Sequence, residues 1–218
     1  MSWRYALKNY VTSPETVNDD TVTYFDDKVS IIRDSFPKSE CHLLILPRTM
    51  QLSRSHPTKV IDAKFKNEFE SYVNSAIDHI FRHFQEKFRI KKSDDDKDPC
   101  WDDILKDKNK FVRNFVQVGI HSVPSMANLH IHVISKRFPF GKIEEQKNNY
   151  NSFNTGFFIS WDDLPLNGKN LGTDKEIETT YLKEHDLLCC YCQRNFSNKF
   201  SLLKKHLELE FNSHFELK

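Results

Sequence analysis

Residues 128–134 read Asn-Leu-His-Ile-His-Val-Ile and place two histidines two positions apart within an apolar run. In a β-strand, residues i and i+2 point to the same side, so His130 and His132 are expected to share one face. The apolar residues that alternate with them would then point into a hydrophobic core. This stretch therefore predicts a half-buried strand with two imidazole groups on its polar face.

A third histidine and a serine lie shortly before this strand. His121 ends an apolar stretch, residues 111–120, that predicts another strand, and Ser125 lies in the turn-like sequence Val-Pro-Ser-Met at 123–126. These side chains would converge at one strand end. Three interpretations remain open: structural histidines on a half-exposed strand, a His-x-His pair that binds zinc, and a histidine nucleophile oriented by its neighbours.

Composition excludes several classes of protein. The 218 residues include 32 Lys and Arg against 31 Asp and Glu, so net charge gives no argument for nucleic acid and any basic surface must be local. There is no apolar run of 18 residues and no signal-peptide pattern, so we expect neither a membrane span nor secretion. Five cysteines, three of them at 189, 190 and 192, favour a metal site in a reducing compartment over a disulfide framework.

The rest of the N-terminal region predicts strands, one long helix and two irregular segments. Strands are expected over 21–25, 29–33 and 41–47. Residues 58–90 space apolar side chains three and four positions apart, which predicts a helix that covers the core. Residues 91–110, rich in Lys and Asp, predict a solvated, mobile insertion, and residues 162–175 predict a linker.

A short helix is expected over residues 2–10. Trp3 recurs with other apolar residues near helical spacing, and Arg4 and Lys8 fall on another face. One interpretation packs the aromatic side chains on the core, and the other places an aromatic and basic element against DNA. The residues alone leave both open.

The C-terminal segment has the spacing of a zinc finger: Cys189, two residues, Cys192, thirteen residues, His206, three residues, Glu210. A carboxylate oxygen is an allowed zinc ligand, and Glu210 lies one helical turn after His206. The competitor, His214, would lie ~12 Å along the helix from His206. We therefore predict one structural zinc ion held by these four residues, with a metal-free helical tail as the alternative.

Residues 121–134 resemble the active-site strand of the histidine-triad superfamily, His-φ-His-φ-His-φ-φ, with Asn128 at the first triad position. Together with the terminal finger, they resemble the aprataxin family over about residues 2–212. The resemblance implies an α+β fold. A histidine-triad catalytic domain, an antiparallel sheet with covering helices, would span 1–165, and a small zinc-finger DNA-binding domain would span 176–218.

The resemblance also implies a reaction. Aprataxins remove AMP from the 5′ end of abortively ligated DNA through a covalent histidine–AMP intermediate. By this resemblance His130 is the predicted nucleophile, and His132 and Ser125 would donate to the phosphate oxygens as charge builds. His121 would protonate or stabilise the departing DNA 5′-phosphate, with Lys38 supplying positive charge on that side.

The remaining roles also come from the resemblance. The predicted nucleotide-binding residues are Asp34, which would hold the ribose, His42 and Asn128. Trp3 would act as an aromatic wedge at the DNA end. The other predicted DNA contacts are Arg4, Lys8, Lys38 and Ser152.

The expected partner is 5′-adenylated DNA, nicked or double-stranded, with AMP as product, no membrane and no catalytic metal. The finger should add DNA affinity without supplying catalysis, and the DNA substrate implies a nuclear location, with the cytoplasm as the alternative. Two other functions remain: a histidine-triad hydrolase of small nucleotides and a non-catalytic DNA-binding module. The finger and Trp3 argue against the first, because a small substrate needs neither, and the histidines argue against the second.

Overall fold

The histidine strand lies inside an antiparallel sheet in a computed structural model that describes residues 3–17, 20–91, 103–136 and 147–218. The strands of these residues are β1 Val22–Phe25, β2 Val29–Arg33, β3 His42–Pro47, β4 Phe88–Ile90, β5 Val116–His121, β6 Ile131–Ser135, β7 Phe158–Ser160 and β8 Phe215–Leu217. Six of them form one sheet in the order β1-β2-β3-β6-β5-β7, and every neighbouring pair is antiparallel. A second, two-stranded sheet joins β4 and β8.

The predicted strands of the N-terminal region are confirmed as β1, β2 and β3. The histidine strand is confirmed as β6, although its paired part begins only at Ile131. Leu129, Ile131 and Val133 all lie in the main hydrophobic core. The predicted alternation, with apolar residues on one face and histidines on the other, is therefore correct.

The helices are α1 Lys8–Thr12, α2 Met50–Ser53, α3 Pro57–Val60, α4 Ala63–Lys87, α5 Lys108–Phe115, α6 Lys147–Asn154, α7 Asp174–Ile177 and α8 Phe200–His214. The predicted long helix is confirmed as α4, with tighter bounds than 58–90. It begins where the Asp62 side chain accepts a hydrogen bond from Phe65 N at 2.7 Å. It ends where the chain enters β4, which pairs with β8 near the C-terminus of the chain.

The prediction of a strand over 111–120 is wrong in its first half. Residues up to Phe115 belong to α5, whose N-cap Asp107 accepts a hydrogen bond from Lys110 N at 3.1 Å. Phe111 and Phe115 are four positions apart and both are buried, so helical spacing brings both into the core. The strand β5 begins only at Val116.

Two further segments differ from their predictions. Of the predicted insertion 91–110, residues 92–102 lie outside the described residues, whereas 103–110 form a turn and the start of α5, with Ile104 only 1% exposed. Of the predicted helix 2–10, residue 2 is not described, and the rest divides into a 3₁₀ turn at Trp3–Tyr5 and α1. Leu7, the N-cap residue of α1, is buried against Ile32 and Leu44 of the sheet.

The hydrophobic core extends across the predicted domain boundary. Phe211 of α8 and Phe215 of β8 are buried in the same core as α4 and the sheet. Burying a Phe side chain stabilises a fold by about 1.5–3 kcal/mol, so these two residues fasten the C-terminal segment firmly to the sheet domain. The division at 165 and 176 itself remains a prediction. Within the described residues, no helix is both long and apolar enough to cross a bilayer.

Candidate active site and zinc centre

Four histidines meet on the sheet face opposite the main core. His42 begins β3, and its Nε2 lies 2.9 Å from Nδ1 of His132 in the neighbouring β6. His121 ends β5, with its ring centroid 4.5 Å from that of His132. His130 directly precedes β6, with its ring centroid 4.7 Å from that of His132. The predicted convergence of the three histidines is therefore confirmed, and His42 joins them.

His130 is oriented by a carbonyl group two residues earlier in the chain. Its Nδ1 lies 2.8 Å from the carbonyl oxygen of Asn128. A carbonyl oxygen only accepts, so we assign the ring proton to Nδ1, which leaves the Nε2 lone pair available. Burial lowers the pKa of His130, which keeps the ring neutral at pH 7. A neutral imidazole with a free Nε2 is a competent nucleophile.

Burial keeps the neighbouring histidines neutral as well. It lowers the pKa of His121 to about 3, and the nearby histidines and Lys38 act in the same direction. It also lowers the pKa of His132 well below the usual value. A neutral His121 has an N–H to donate but no imidazolium proton to give up. The His121 ring already has a hydrogen bond with the backbone of Ser152, so stabilisation of a departing phosphate by His121 requires the ring proton on its other nitrogen, Nε2.

Two buried ring nitrogens have unused hydrogen-bonding capacity. Among the described residues, none hydrogen-bonds Nε2 of His121 or Nε2 of His132. A buried polar atom without a partner costs about 1–3 kcal/mol, so a ligand with acceptor oxygens would relieve that cost if these nitrogens carry protons. Nε2 of His132 carries its proton when His42 Nε2–H donates to His132 Nδ1, which the 2.9 Å contact allows.

Asp34 fixes the ring of His42 from the other side. Its Oδ1 accepts from Phe36 N at 2.8 Å, and its Oδ2 lies 3.2 Å from His42 Nδ1. Lys38 N also approaches His42 Nδ1, at 3.4 Å, but the carboxylate contact is shorter and charge-assisted, so we assign Nδ1 as a donor to Asp34. When His42 also donates from Nε2, its ring is positively charged, and a bound phosphate would favour that state.

The histidine face opens into a cavity of about 420 Å³. Eight of the predicted site residues line it: Asp34, Lys38, His42, His121, Ser125, His130, His132 and Ser152. The fold thus collects in one cavity residues predicted for attack, phosphate contact and ribose contact. A second cavity, of about 620 Å³, lies between α4, α5 and the C-terminal segment, and none of the predicted catalytic residues lines it.

Asn128, at the first triad position, orients the predicted nucleophile His130 and is not among the cavity-lining residues. Its side-chain amide donates to Ser53 Oγ at 2.8 Å, and Leu129 N donates to Ser53 O at 2.6 Å. These bonds hold the backbone whose carbonyl oxygen accepts from His130. In this structure Asn128 orients His130, and the nucleotide-binding role predicted for it remains a prediction.

The N-terminal residues predicted to contact DNA lie on the surface. Trp3 is 65% exposed, and Arg4 and Lys8 are also exposed. The carbonyl oxygen of Arg4 accepts from Ala127 N at 2.9 Å, which ties this segment to the loop that leads into the histidine strand. The interpretation that packs Trp3 in the core is therefore wrong, and its contact with DNA remains a prediction.

Sequence reasoning missed several residues of the cavity wall. Phe153 lies edge-on to the histidine cluster, and Glu178 and Leu182 of the π-helix Glu178–Glu184 line the same cavity. Phe153 directly follows the predicted site residue Ser152, so its position next to Ser152 was the sequence signal that could have identified it. Glu178 and Leu182 follow the linker, and no motif distinguishes them from other residues of a solvated helix.

The predicted finger residues come together at the C-terminus. Ligand atoms of Cys189, Cys192 and His206 all lie within 4.8 Å of one another. Cys192 Sγ and His206 Nε2 are 3.1 Å apart. The helix α8 runs without a break from Phe200 to His214. His214 therefore lies two turns after His206, too far along the helix to bind the same zinc ion.

Glu210 Oε1 lies 3.3 Å from His206 Nε2, but among the described residues the cluster whose ligand atoms all lie within 4.8 Å of one another contains only Cys189, Cys192 and His206. An imidazole nitrogen and a carboxylate oxygen at about 2.1 Å from a tetrahedral zinc ion lie about 3.4 Å apart. The two sulfurs and the imidazole fit three positions of a structural zinc ion, which would hold the loop 189–192 against α8, and a carboxylate is a ligand type that can complete such a site. Glu210 as the fourth ligand remains a prediction.

Comparison with protein families finds two matches along the chain. The HIT-domain family model matches residues 15–139, which is more than half of the chain. The model described as the C2HE / C2H2 / C2HC zinc-binding finger matches residues 154–213. The histidine cavity and the cysteine cluster thus each lie within, or largely within, a family match.

Comparison with individual proteins covers nearly the full length. The chain is 95% identical over 218 residues to the aprataxin-like protein of Saccharomyces cerevisiae, with all of both chains covered. It is 31% identical to the aprataxin-like protein of Schizosaccharomyces pombe, over 97% of this chain and 82% of that protein. A solved structure of the aprataxin ortholog Hnt3 in complex with DNA superposes with a TM-score of 0.75, at 30% identity over 97% of this chain and 96% of that one.

Proposed function

This chain belongs to the aprataxin family of histidine-triad hydrolases, and we propose that it removes AMP from 5′-adenylated DNA ends and leaves a 5′-phosphate. The observation that carries the proposal is the hydrogen bond from His130 Nδ1 to the carbonyl oxygen of Asn128, which leaves Nε2 unprotonated in a cavity lined by three further histidines. A solved relative is described as a complex with DNA, which supports a DNA substrate.

The first step transfers AMP to the enzyme. Nε2 of His130 attacks the phosphorus of the AMP moiety, a nitrogen–phosphorus bond forms, and the bond from that phosphorus to the bridging oxygen breaks. The electron pair of the broken bond stays on that oxygen, so the DNA departs with a 5′-phosphate. Asn128 O, which accepts from Nδ1–H, stabilises the positive charge that develops on the ring.

The second step releases AMP. Water attacks the phosphorus of the histidine–AMP intermediate, the nitrogen–phosphorus bond breaks, and its electron pair returns to Nε2 of His130. The proton lost by water leaves with solvent, and the enzyme is regenerated. Splitting the hydrolysis into two displacements replaces one difficult step by two easier ones.

The remaining cavity residues stabilise charge and hold the substrate. His132 and Ser125 donate to the oxygens of the attacked phosphate, and His121 donates to the departing DNA phosphate. Lys38 supplies a positive charge at the same cavity. Asp34 would bind the ribose, although its carboxylate already contacts Phe36 N and His42. Each donor acts without gaining or losing a proton during the first displacement.

The zinc ion has a structural role in this proposal. It would be held by Cys189, Cys192, His206 and Glu210, one ion per chain, and would keep the finger folded. No step of the reaction passes through it. A DNA substrate implies that the protein acts in the nucleus, which we propose as its location.

The test of the proposal is direct. The protein is incubated with a nicked duplex that carries a 5′-adenylate, and AMP and the 5′-phosphorylated strand are measured. We expect rapid release of AMP from this substrate and slow turnover of diadenosine polyphosphate. The opposite preference would favour a histidine-triad hydrolase of small nucleotides, and binding of the duplex with no turnover of either would favour a non-catalytic DNA-binding module.

A second prediction concerns Trp3. The Trp3→Ala variant should lose affinity for the adenylated duplex by about fivefold or more, because stacking of an aromatic side chain on a base contributes about 1–3 kcal/mol. AMP binding should change little, since Trp3 is 65% exposed and does not line the cavity. Binding of both ligands is measured by fluorescence anisotropy or calorimetry.

The control for Trp3 is Phe36→Ala. Phe36 is 74% exposed and lines the cavity. The Phe36→Ala variant therefore also removes an exposed aromatic side chain, but on the side where the nucleotide is expected to bind. Equal losses of duplex and AMP binding in Trp3→Ala would contradict a role confined to the DNA end.

A further inference from the structure

Helix α6 lies between the histidine cavity and the zinc centre and contacts both. Ser152 and Phe153 line the cavity. Tyr150, on the other side, is 1% exposed and packs in the finger core with Leu187 and Leu203. An α-helix turns by about 100° per residue, so Tyr150 and Ser152, two positions apart, point to nearly opposite sides. One eight-residue helix therefore forms part of both sites.

Towards the zinc centre, α6 is held by the hydroxyl group of Tyr150. This hydroxyl donates to the carbonyl oxygen of Leu188 at 2.8 Å and accepts from Cys190 N at 3.0 Å. Both partners belong to, or adjoin, the loop 189–192, which carries two of the predicted zinc ligands. The order of that loop therefore determines whether the Tyr150 hydroxyl keeps its partners.

A second side chain of α6 strengthens the attachment. Asn151 is 1% exposed, and its amide donates to the carbonyl oxygens of Leu182 at 3.3 Å and His185 at 3.0 Å. The first carbonyl group belongs to the π-helix Glu178–Glu184, and the second belongs to the residue that follows this helix. The buried face of α6 thus has several polar contacts with the C-terminal segment, in addition to its apolar packing.

Towards the cavity, α6 presents the ring of Phe153 to the histidines. Its centroid lies 4.8 Å from that of His121, 5.1 Å from that of His132 and 5.5 Å from that of His42. The interplanar angles of 60°, 88° and 88° make all three contacts edge-to-face, an arrangement that favours defined ring orientations. A displacement of α6 would therefore disturb three histidines together.

We propose that the zinc-bearing loop positions the catalytic histidines through α6, with Tyr150 and Phe153 as the two positioning residues. The catalytic consequence rests on the proposed function, and the role of metal rests on the fit of the ligand set to zinc. The finger then does more than add DNA affinity, because an ordered loop holds Tyr150 and thereby keeps Phe153 against the histidines. Loss of the metal loosens this wall of the cavity while the sheet domain stays folded.

The first test is Tyr150→Phe in the full chain, which keeps the ring and removes the hydroxyl. We expect one zinc per chain as in the wild type, shifted imidazole resonances of His121 and His132 in ¹H–¹⁵N NMR spectra, and α6 amides that exchange about tenfold faster. The single-turnover rate of AMP transfer should fall about tenfold, because small misplacements of reacting groups slow chemistry strongly. Affinity for the duplex should be unchanged.

Tyr72→Phe is the matched control. Tyr72 also donates through its hydroxyl, to Asp26 Oδ2 at 2.7 Å, but it touches neither site. This variant also loses a tyrosine hydroxyl and a hydrogen bond. Its histidine resonances, α6 exchange and transfer rate should match those of the wild type.

Removal of zinc from the wild-type chain with a chelator gives a second test that needs no variant. It should produce the same resonance shifts and faster α6 exchange, and restoring zinc should reverse both. Unchanged resonances in Tyr150→Phe together with unchanged α6 exchange after metal removal would overturn the inference. Absence of AMP release by the wild type would instead overturn the proposed function, because the resonance and exchange measurements do not depend on turnover.

Discussion

We expect His130→Ala to abolish AMP release from 5′-adenylated DNA, with a loss of turnover on the order of 10⁴-fold or more, as for other covalent nucleophiles. The backbone carbonyl that accepts from its Nδ1 leaves Nε2 of His130 unprotonated and available for attack. Nδ1 of His132 contacts Nε2 of His42, so the His132 ring is oriented by a histidine side chain and not by a backbone carbonyl group. Duplex binding should change by less than about threefold, since Trp3, Arg4 and Lys8, the predicted DNA contacts outside the cavity, are unchanged.

The measurement combines turnover with trapping of the intermediate. Wild-type protein mixed with radiolabelled adenylated DNA and quenched quickly should carry label that is released by acid and stable to base, as expected for a phosphorus–nitrogen bond. The His130→Ala variant should carry none. Because burial lowers the pKa of His130, the wild type should keep forming the intermediate somewhat below pH 6.5, the ordinary pKa of histidine.

The control is His185→Ala. His185 has the same kind of contact, with Nδ1 at 2.8 Å from the carbonyl oxygen of Asp186, but it does not line the cavity. Its loss should leave labelling and turnover within about twofold of the wild type. Turnover by His130→Ala above a few per cent, or label on that variant, would show that another group attacks.

The histidine face was predictable because strand periodicity alone determines it. His130 and His132 alternate with Leu129 and Ile131, and any strand that buries the apolar pair must place the histidines on the other side. His42 is 90 positions from His132 in sequence, and only the pairing of β3 with β6 brings their rings together. A motif indicated that His42 belongs near the nucleotide, but its contact with Asp34 required the structure.

The prediction of a strand over 111–120 and the prediction of a solvated segment over 103–110 were wrong for the same physical reason. The stretch 111–120 fits both a strand and a helix, because Phe111 and Phe115 satisfy the four-residue spacing and the neighbouring valines favour strands. The N-cap Asp107 was the signal that selects the helix, and it lay inside a segment interpreted as solvated. Whether such a stretch forms a helix or a strand depends on the hydrophobic core that its side chains enter, and this is determined by the tertiary fold.

The attachment of the finger was beyond sequence reasoning for the same reason. Phe211 and Phe215 continue the apolar spacing of the finger helix, a pattern that is compatible with the small finger core. In the structure they enter the main core, and β8 pairs with β4, which follows α4. Nothing in their spacing distinguishes the two destinations. The role proposed for α6 depends on this close attachment, since a finger on a free linker could not position the cavity wall.

The second large effect concerns zinc. Cys192→Ser should lose the ion, because Cys192 Sγ and His206 Nε2 face the same point and serine is a much weaker ligand for zinc. Ligand loss should unfold the loop 189–192 and lower Tm by about 10 °C, since a cost of a few kcal/mol shifts Tm by roughly 2–4 °C per kcal/mol in a chain of this size. Zinc content is measured by elemental analysis, and Tm by calorimetry.

Two further variants identify the fourth ligand. Glu210→Ala should weaken zinc binding by about 10–100-fold, because Oε1 lies 3.3 Å from His206 Nε2 and its loss leaves three ligands. His214→Ala should leave zinc content and affinity unchanged. The helix continues unbroken past Glu210 to His214, which places that side chain two turns from His206, too far to complete a tetrahedron around one ion. Zinc retained in Glu210→Ala but lost in His214→Ala would require α8 to unwind after Glu210 and would reverse the assignment. Absence of zinc from the wild type would contradict the prediction of a structural zinc ion. The contacts of α6 with the C-terminal segment would then hold the cavity wall without a metal.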